Sequence, residues 1–249
     1  MNRATTLVFA HRGASGEAAE NTRSAFDRAL AYAADGIETD VQLSRDDVPV
    51  LWHDDFLGKL GLPGRRIDDF DCSQLRAMNF ARYFGEGATQ ESIVSLQDFI
   101  QDYRKRCRLL LEIKNRAGEP AARRTSKVRQ TLDLVGTADG ERIVVSSFDL
   151  DCLVDAHQYR PEFPLVYNLE SGQSRTTIPR VLAEKPFLHG LCLPIATLDG
   201  AVVALLRDHK KLIAVYTCNS AREIHKALQL GVDILISDWP QQALHMRDG

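Results

Sequence analysis

Three stretches near the N-terminus decide the fold: Leu7-Val8-Phe9-Ala10-His11, then Asn21-Thr22-Arg23-Ser24-Ala25-Phe26-Asp27-Arg28-Ala29-Leu30-Ala31-Tyr32-Ala33, then Gly36-Ile37-Glu38-Thr39-Asp40-Val41-Gln42-Leu43. The first and third have strand length and strand-like apolar content. In the second, Ala25, Phe26, Ala29, Leu30 and Ala33 recur at i, i+3/i+4 spacing, the period of one helix face. Asn21 and Thr22 offer an N-cap and Gly36 a stop. Strand, amphipathic helix, strand is one βα unit.

The same alternation continues outward. Further strands are expected at 108–114, 143–148, 164–169, 190–194, 212–219 and 234–238, which makes eight. Helical periodicity lies between several of them, at 95–103, 150–159, 200–210 and 221–230, the last closed by Gly231. Strands alternating with helices imply a mostly parallel sheet. Eight such units in 249 residues suit a (β/α)8 TIM barrel forming a single domain over 1–249. A doubly wound open sheet is the runner-up. It needs fewer strands and usually a G-x-G-x-x-G turn after the first, which Gly13-Ala14-Ser15-Gly16 is not. One region breaks the rhythm. Residues 48–53 read as a strand pairing back on 41–43 through Arg45-Asp46-Asp47. Residues 54–90, rich in glycine, read as an irregular insertion covering one end of the barrel.

Residues i and i+2 of a strand share a face. Glu38 and Asp40 therefore project together, as do Glu112 and Lys114, while Ile37, Thr39, Val41, Leu111 and Ile113 face the helices. This inverts the usual apolar barrel interior. Three carboxylates buried together without counter-charge are costly, or must protonate. One divalent cation removes the difficulty, and oxygen-only ligands point to Mg²⁺ or Ca²⁺ rather than zinc. His11 closes the first strand and His53 the hairpin after the second, giving a candidate acid/base pair able to titrate near neutral pH. Arg12 and Lys114 add fixed positive charge suited to clamping a phosphate. Together these residues read as a phosphoryl-transfer site.

The bulk numbers exclude other classes. A hydrophobic fraction of 44%, a charged fraction of 26% and a net charge of -3 describe an ordinary globule and argue against nucleic-acid binding. The basic clusters Arg104-Lys105-Arg106 and Arg123-Arg124 read as solvated helix faces. No apolar run approaches the ~20 residues of a membrane span, so no integral membrane contact is expected. The N-terminus lacks the layout of a signal peptide. Five widely spaced cysteines, an odd number with no C-x-x-C, suit unpaired thiols in a reducing compartment, and the expected location is cytoplasmic.

Eight blocks then fall in a recognisable order. They are His11-Arg12-Gly13, Glu20-Asn21-Thr22, Glu38-Thr39-Asp40-Val41, Pro49-Val50 with His53-Asp54, Glu112-Ile113-Lys114, Ser146-Ser147-Phe148, Val215-Tyr216-Thr217-Cys218-Asn219, and Gly231-Val232-Asp233 with Ser237-Asp238. In this series the chain resembles the glycerophosphodiester phosphodiesterase family over almost its whole length. The resemblance implies a TIM barrel with a small insertion after the second strand. It implies metal ligation by Glu38, Asp40 and Glu112, acid/base roles for His11 and His53, and phosphate contacts from Arg12 and Lys114. The implied reaction is metal-dependent hydrolysis of a small glycerophosphodiester to sn-glycerol 3-phosphate and an alcohol. A first attack by the substrate's own glycerol hydroxyl, giving a cyclic phosphate, is also implied.

The chain departs from the family pattern at Ala19, where proline is usual, at Tyr216, often tryptophan, and in an insertion without the family's arginine-threonine stretch. Trp239, just past the last strand, is expected either to wall the pocket beside the alcohol or to pack under the C-terminal helix. Glu20 and Asn21 are expected to bond within the site or to cap the first helix. An alternative reading is a lysophospholipase D or cyclising phospholipase of the same superfamily. That reading expects an exposed apolar rim, for which the insertion offers Phe56, Leu57, Leu60 and Leu62. A third, an inactive binding barrel, is disfavoured because every residue with a chemical role is intact.

Overall fold

The computed structural model describes residues 5–85, 87–137, 142–171 and 176–249. β1 (Leu7–His11), α1 (Arg23–Ala31), β2 (Gly36–Leu43) and β3 (Pro49–Leu51) open the chain, followed by α2 (Cys72–Arg76) and α3 (Leu96–Tyr103). Then come β4 (Arg108–Ile113), α4 (Ala121–Val135), β5 (Ile143–Ser147), α5 (Leu150–Tyr159), β6 (Leu165–Asn168) and α6 (Thr177–Glu184). The chain ends with β7 (Gly190–Pro194), α7 (Gly200–Asp208), β8 (Leu212–Tyr216), α8 (Ala221–Leu230), β9 (Ile234–Ser237) and α9 (Pro240–Asp248).

Eight strands pair in parallel, and β1 pairs with both β2 and β9, which closes the sheet into a (β/α)8 barrel. β3 is the extra strand outside the barrel and runs antiparallel to the end of β2, Val41 opposite Leu51, as the pattern at 48–53 predicts. Closure is why the site can exist: it puts the C-terminal ends of β1, β2, β4 and β9 on one rim.

Apolar residues alternate to two sides. One set, including Val8, Ile37, Leu109, Leu111, Val145, Leu191 and Val215, packs outward against helix residues such as Phe26, Phe99, Leu132 and Leu153. The other fills the barrel with Phe9, Leu110, Val144, Val166, Cys192, Ala214, Ile234 and Ile236. The inversion expected from Glu38, Asp40 and Glu112 is therefore confined to the C-terminal mouth; beneath it the interior is apolar. Gly36 makes room there, since a Cβ at that position would lie 2.5 Å from the Phe9 ring.

The irregular insertion expected at 54–90 is instead organised, although it has little regular structure. Val50, Trp52, Leu57, Leu60, Ile67, Cys72, Leu75, Phe80 and Ile93 form a second hydrophobic cluster. Two 3₁₀ turns, Gly58–Leu60 and Ile67–Asp69, and α2 carry it. This burial removes most of the expected apolar rim: Leu57 and Leu60 are inside, and Phe56 alone of the four is exposed. The helices α4 and α6 are not among the expected ones, although Ile178, Val181 and Leu182 of α6 recur at i, i+3, i+4 and are buried. Nor is Arg123-Arg124 a solvated face. Arg123 bonds the Leu43 and Ser44 carbonyls and Asp47, and Arg124 reaches Asp155, tying α4 to its neighbours. All five cysteines are unpaired and buried. No helix among the described residues is long and apolar enough to cross a membrane.

Candidate active site

The mouth of the barrel collects seven of the eight residues singled out in the sequence. Glu38 and Asp40 point inward from β2, and Glu112 from β4, where the register sets Asp40 opposite Glu112. All three are buried, and one oxygen of each lies within 4.8 Å of the others. Burial first, then Asp40 and Glu112, push the Glu38 carboxyl well above its ordinary range. Burial also acts to raise Asp40, but Arg12, then Lys114 and His53, outweigh it and hold that carboxyl below the usual range. Three buried carboxylates that cannot all ionise comfortably favour a cation among them.

The residues present fit a hard divalent ion. All donors are carboxylate oxygens, and Asp40 Oδ1 is buried without a hydrogen-bond partner among the described residues. The Lys114 ammonium lies 3.7 Å from it. Four of the other five carboxylate oxygens meet a donor. Asn21 Nδ2 donates to Asp40 Oδ2 (3.0 Å), the Arg12 amide to Glu38 Oε2 (3.1 Å), and Asn168 Nδ2 to Glu112 Oε2 (3.1 Å). Lys114 Nζ lies 2.8 Å from Glu112 Oε1. Asn21 thus bonds within the site, and Thr39 Oγ1 donates to its side-chain Oδ1, while Thr22 alone caps α1.

Local backbone supports this arrangement. Arg12 (φ 57°) and Asn21 (φ 58°) both occupy the left-handed region, and the Asn21 amide donates to the Arg12 carbonyl. Two non-glycine residues in that region side by side are a strain that surrounding contacts must over-determine. Arg12 is held by Glu20 Oε2 (3.0 Å) and lies as an ion pair 3.2 Å from Asp40.

Each histidine faces the mouth through Nε2, because a carboxylate holds its Nδ1. His11 Nδ1 sits 2.5 Å from Asp238 Oδ1, and His53 Nδ1 2.7 Å from Asp54 Oδ1. Nδ1–H donation to a carboxylate fixes the tautomer and leaves Nε2 facing the mouth. His11 Nε2 is 3.9 Å from Glu38 Oε2. Asp238 is itself set by Ser15 Oγ (3.1 Å) and Asn219 Nδ2 (2.5 Å). Burial acts to raise Asp238, but His11, Ser15 and Asn219 together outweigh it and lower that carboxyl; the His53 bond leads in bringing Asp54 down to about 2.

Sequence reasoning assigned no role to Asp54, Asp238, Asn168 or Asn219. Strand-end position was the available signal for Asp238 and Asn168, and adjacency to His53 for Asp54. Trp239 stands apart from the other seven. It lines neither cavity at the mouth, is 40% exposed, and lies so close over Gly16 that a Cβ there would be 2.5 Å from the indole.

Two connected cavities open on these groups. An inner one of about 150 Å³ is lined by His11, Arg12, Glu38, His53, Glu112 and Asn168 among others. An outer cleft of about 830 Å³ runs from His53 and Glu112 past Lys114, Phe148, Tyr167 and Tyr216 to Glu170. His53, Glu112, Phe148 and Tyr216 line both.

Known proteins resemble this chain in sequence and in fold. A curated glycerophosphodiester phosphodiesterase of Bacillus altitudinis is 29% identical over 250 residues, covering 98% of each chain. A human lysophospholipase D is 30% identical over 170 residues, 66% of this chain and 51% of that protein. An Oleispira antarctica phosphodiesterase, solved in complex with the product sn-glycerol-3-phosphate, superposes with a TM-score of 0.87 at 26% identity over 98% of both chains. The profile of the glycerophosphoryl diester phosphodiesterase family matches residues 11–242, from the first mouth histidine into the last helix. A match of that extent, laid over a barrel whose rim carries these blocks, shows that the chain belongs to the glycerophosphoryl diester phosphodiesterase family.

Proposed function

We propose that this protein is a divalent-metal-dependent phosphodiesterase that hydrolyses small glycerophosphodiesters to sn-glycerol 3-phosphate and an alcohol. The observation that carries the reading is the buried trio Glu38, Asp40 and Glu112, flanked by Arg12 and Lys114 and faced by two carboxylate-oriented histidines.

Glu38, Asp40 and Glu112 would hold one Mg²⁺ or Ca²⁺. When bound, it supplies Lewis-acid polarisation of the phosphoryl group and charge neutralisation. Arg12 and Lys114 supply the rest of the positive field and orient the diester. The two cavities divide the substrate: the inner one suits the glycerol phosphate half, and the outer cleft the alcohol. His11, in the inner cavity alone, takes the proton of the attacking glycerol hydroxyl of the substrate through Nε2, while His53, on the boundary, gives a proton to the leaving alcohol oxygen, leaving a cyclic phosphate. Water then opens that ring, giving its proton to His53 as His11 protonates the departing glycerol oxygen, which yields sn-glycerol 3-phosphate and restores both histidines. Trp239, resting on Gly16 outside both cavities, would act on the alcohol only indirectly. A small polar diester suits the mouth better than a lysolipid, because Leu57 and Leu60 are buried and leave Phe56 as the insertion's exposed contribution from the expected rim. Five unpaired thiols favour a cytoplasmic setting, and the chain would act as one domain.

The test is a head-group panel. Purified protein receives glycerophosphocholine, -ethanolamine, -glycerol and -inositol, and lysophosphatidylcholine, with and without EDTA. Release of glycerol 3-phosphate that requires Mg²⁺, Ca²⁺ or Mn²⁺ is expected. No turnover of any diester with any of these ions would sink the reading; turnover of the lysolipid alone would favour the lysophospholipase D alternative.

A further inference from the structure

The insertion reaches back into the site through one side chain. Lys59 lies in the 3₁₀ turn Gly58–Leu60, and its ammonium sits between two carboxylates, 2.8 Å from Glu20 Oε1 and 3.0 Å from Asp54 Oδ2. Each carboxylate uses its other oxygen on a mouth residue. Glu20 Oε2 is 3.0 Å from the Arg12 guanidinium, and Asp54 Oδ1 is 2.7 Å from His53 Nδ1. One ammonium therefore closes two short chains, Lys59–Asp54–His53 and Lys59–Glu20–Arg12. The rings of Trp52 and Tyr83 flank it, with centroids 5.9 and 5.5 Å from Nζ.

We propose that Lys59 is a positioning residue that fixes the orientation of His53 and Arg12 together, and so makes the folded insertion part of the catalytic mouth. The proposal rests on the roles given above to His53 and Arg12.

The backbone is already secured, which leaves side-chain rotation as the freedom Lys59 removes. Gln42 Nε2 donates to the carbonyls of Trp52 (2.8 Å) and Asp54 (3.0 Å), clamping the segment that carries His53. The Glu20 amide donates to the Tyr83 hydroxyl (3.1 Å). Without Lys59 each carboxyl would keep a single partner, Arg12 for Glu20 and His53 for Asp54, and could pivot about it. An ion pair this exposed adds little to stability; its effect is on geometry, where catalysis is most sensitive. The same observation explains why Glu20, His53 and Asp54, close enough together to suggest a second metal site, need no ion: the ammonium already supplies the positive charge.

The test compares the wild type with Lys59→Met, which keeps the stem between the two rings, and Lys59→Arg, which can bridge both carboxylates. Lys59→Met is expected to lower kcat about tenfold or more and to raise KM and the dissociation constant for sn-glycerol 3-phosphate. Tm and Mn²⁺ affinity, read by calorimetry with the metal alone, are expected to stay near wild type. Lys59→Arg is expected to recover most of the loss. Kinetic constants of Lys59→Met within about twofold of wild type, or no recovery by Lys59→Arg, would overturn the proposal. Should Lys59→Met not fold, Glu20→Gln and Asp54→Asn separate the arms. The first should act mainly on KM and the second mainly on kcat, and identical responses would overturn it equally. A wild type with no turnover removes the functional reading itself, whereas an active wild type matched by Lys59→Met removes only the role of Lys59.

Discussion

His11 and Asp238 stand 227 residues apart in the chain and 2.5 Å apart in space, Nδ1 to Oδ1. Strand closure between β1 and β9 brings them together, and Asp238 in turn gathers Ser15 and Asn219. Asp238→Asn keeps the shape but can donate to Nδ1, which favours the wrong tautomer. It is expected to lower kcat by about a hundredfold, the low end of what a positioned acid/base group contributes. Circular dichroism should show an unchanged fold. A kcat near wild type would show that Asp238 only packs against the ring.

Glu38 tests the cation. Its carboxylate is buried against Asp40 and Glu112, which is why its pKa rises. In metal-free protein, Glu38→Gln relieves like-charge repulsion and should raise Tm, while in the presence of Mg²⁺ or Ca²⁺ turnover should vanish. Wild-type Tm should rise with divalent ion and the variant's should respond far less, because an ion that binds only the folded state stabilises it by mass action. A variant whose Tm rises with the ion as strongly as that of the wild type would remove Glu38 from the ligand set.

Asn21 links strand to helix entry. It donates to Asp40 Oδ2 and accepts from Thr39 Oγ1, buried and in the left-handed region. Asn21→Ala strands two polar partners and places an unsuited residue at positive φ. The expected costs are about 1–3 kcal/mol of stability and about 10–100-fold in cation affinity, as for other groups that orient metal ligands. Asn21→Gly should recover part of the stability but none of the affinity, which chemical denaturation and calorimetry can separate.

How far the sequence discloses this molecule depends on where polar residues fall. The strand ends were legible because Glu38-x-Asp40 and Glu112-x-Lys114 obey the two-residue period of a strand face. The closure that joins His11 to Asp238 was legible only as an order of elements, so the partner of each histidine was not assigned. α4 escaped for a related reason. Its inner face includes Lys127 and Thr131, both buried, which breaks the apolar period. Lys127 is accommodated because its ammonium bonds the Lys114 carbonyl, Asn115 and Glu119. The insertion read as irregular because its order comes from a tertiary cluster around Trp52 and Leu57 rather than from local periodicity. For Trp239 the sequence allowed a pocket wall or packing under the C-terminal helix, and the indole lies over Gly16.

The thiols give a pH-dependent prediction. Burial raises Cys107 to about 11, and Cys152 and Cys218 to about 12; it lifts Cys72 as well. Thiolate is the reactive form, so native protein at pH 8.5 should resist iodoacetamide while denaturant exposes all five cysteines. Cys72 and Cys107, the most accessible of the five, should be modified first. The sign for stability follows from proton binding. Between the unfolded thiol pKa of roughly 8.5 and the raised folded values, the folded state holds protons that the unfolded state has lost. Stability is therefore fully present below pH 8.5 and falls as pH rises toward 12. Denaturation midpoints measured from pH 8 to 10.5 should decline, and part of that decline should disappear in a Cys107→Ser, Cys218→Ala variant. Rapid native alkylation of Cys152 or Cys218, at the rate of Cys72, would contradict the packing that keeps them protonated.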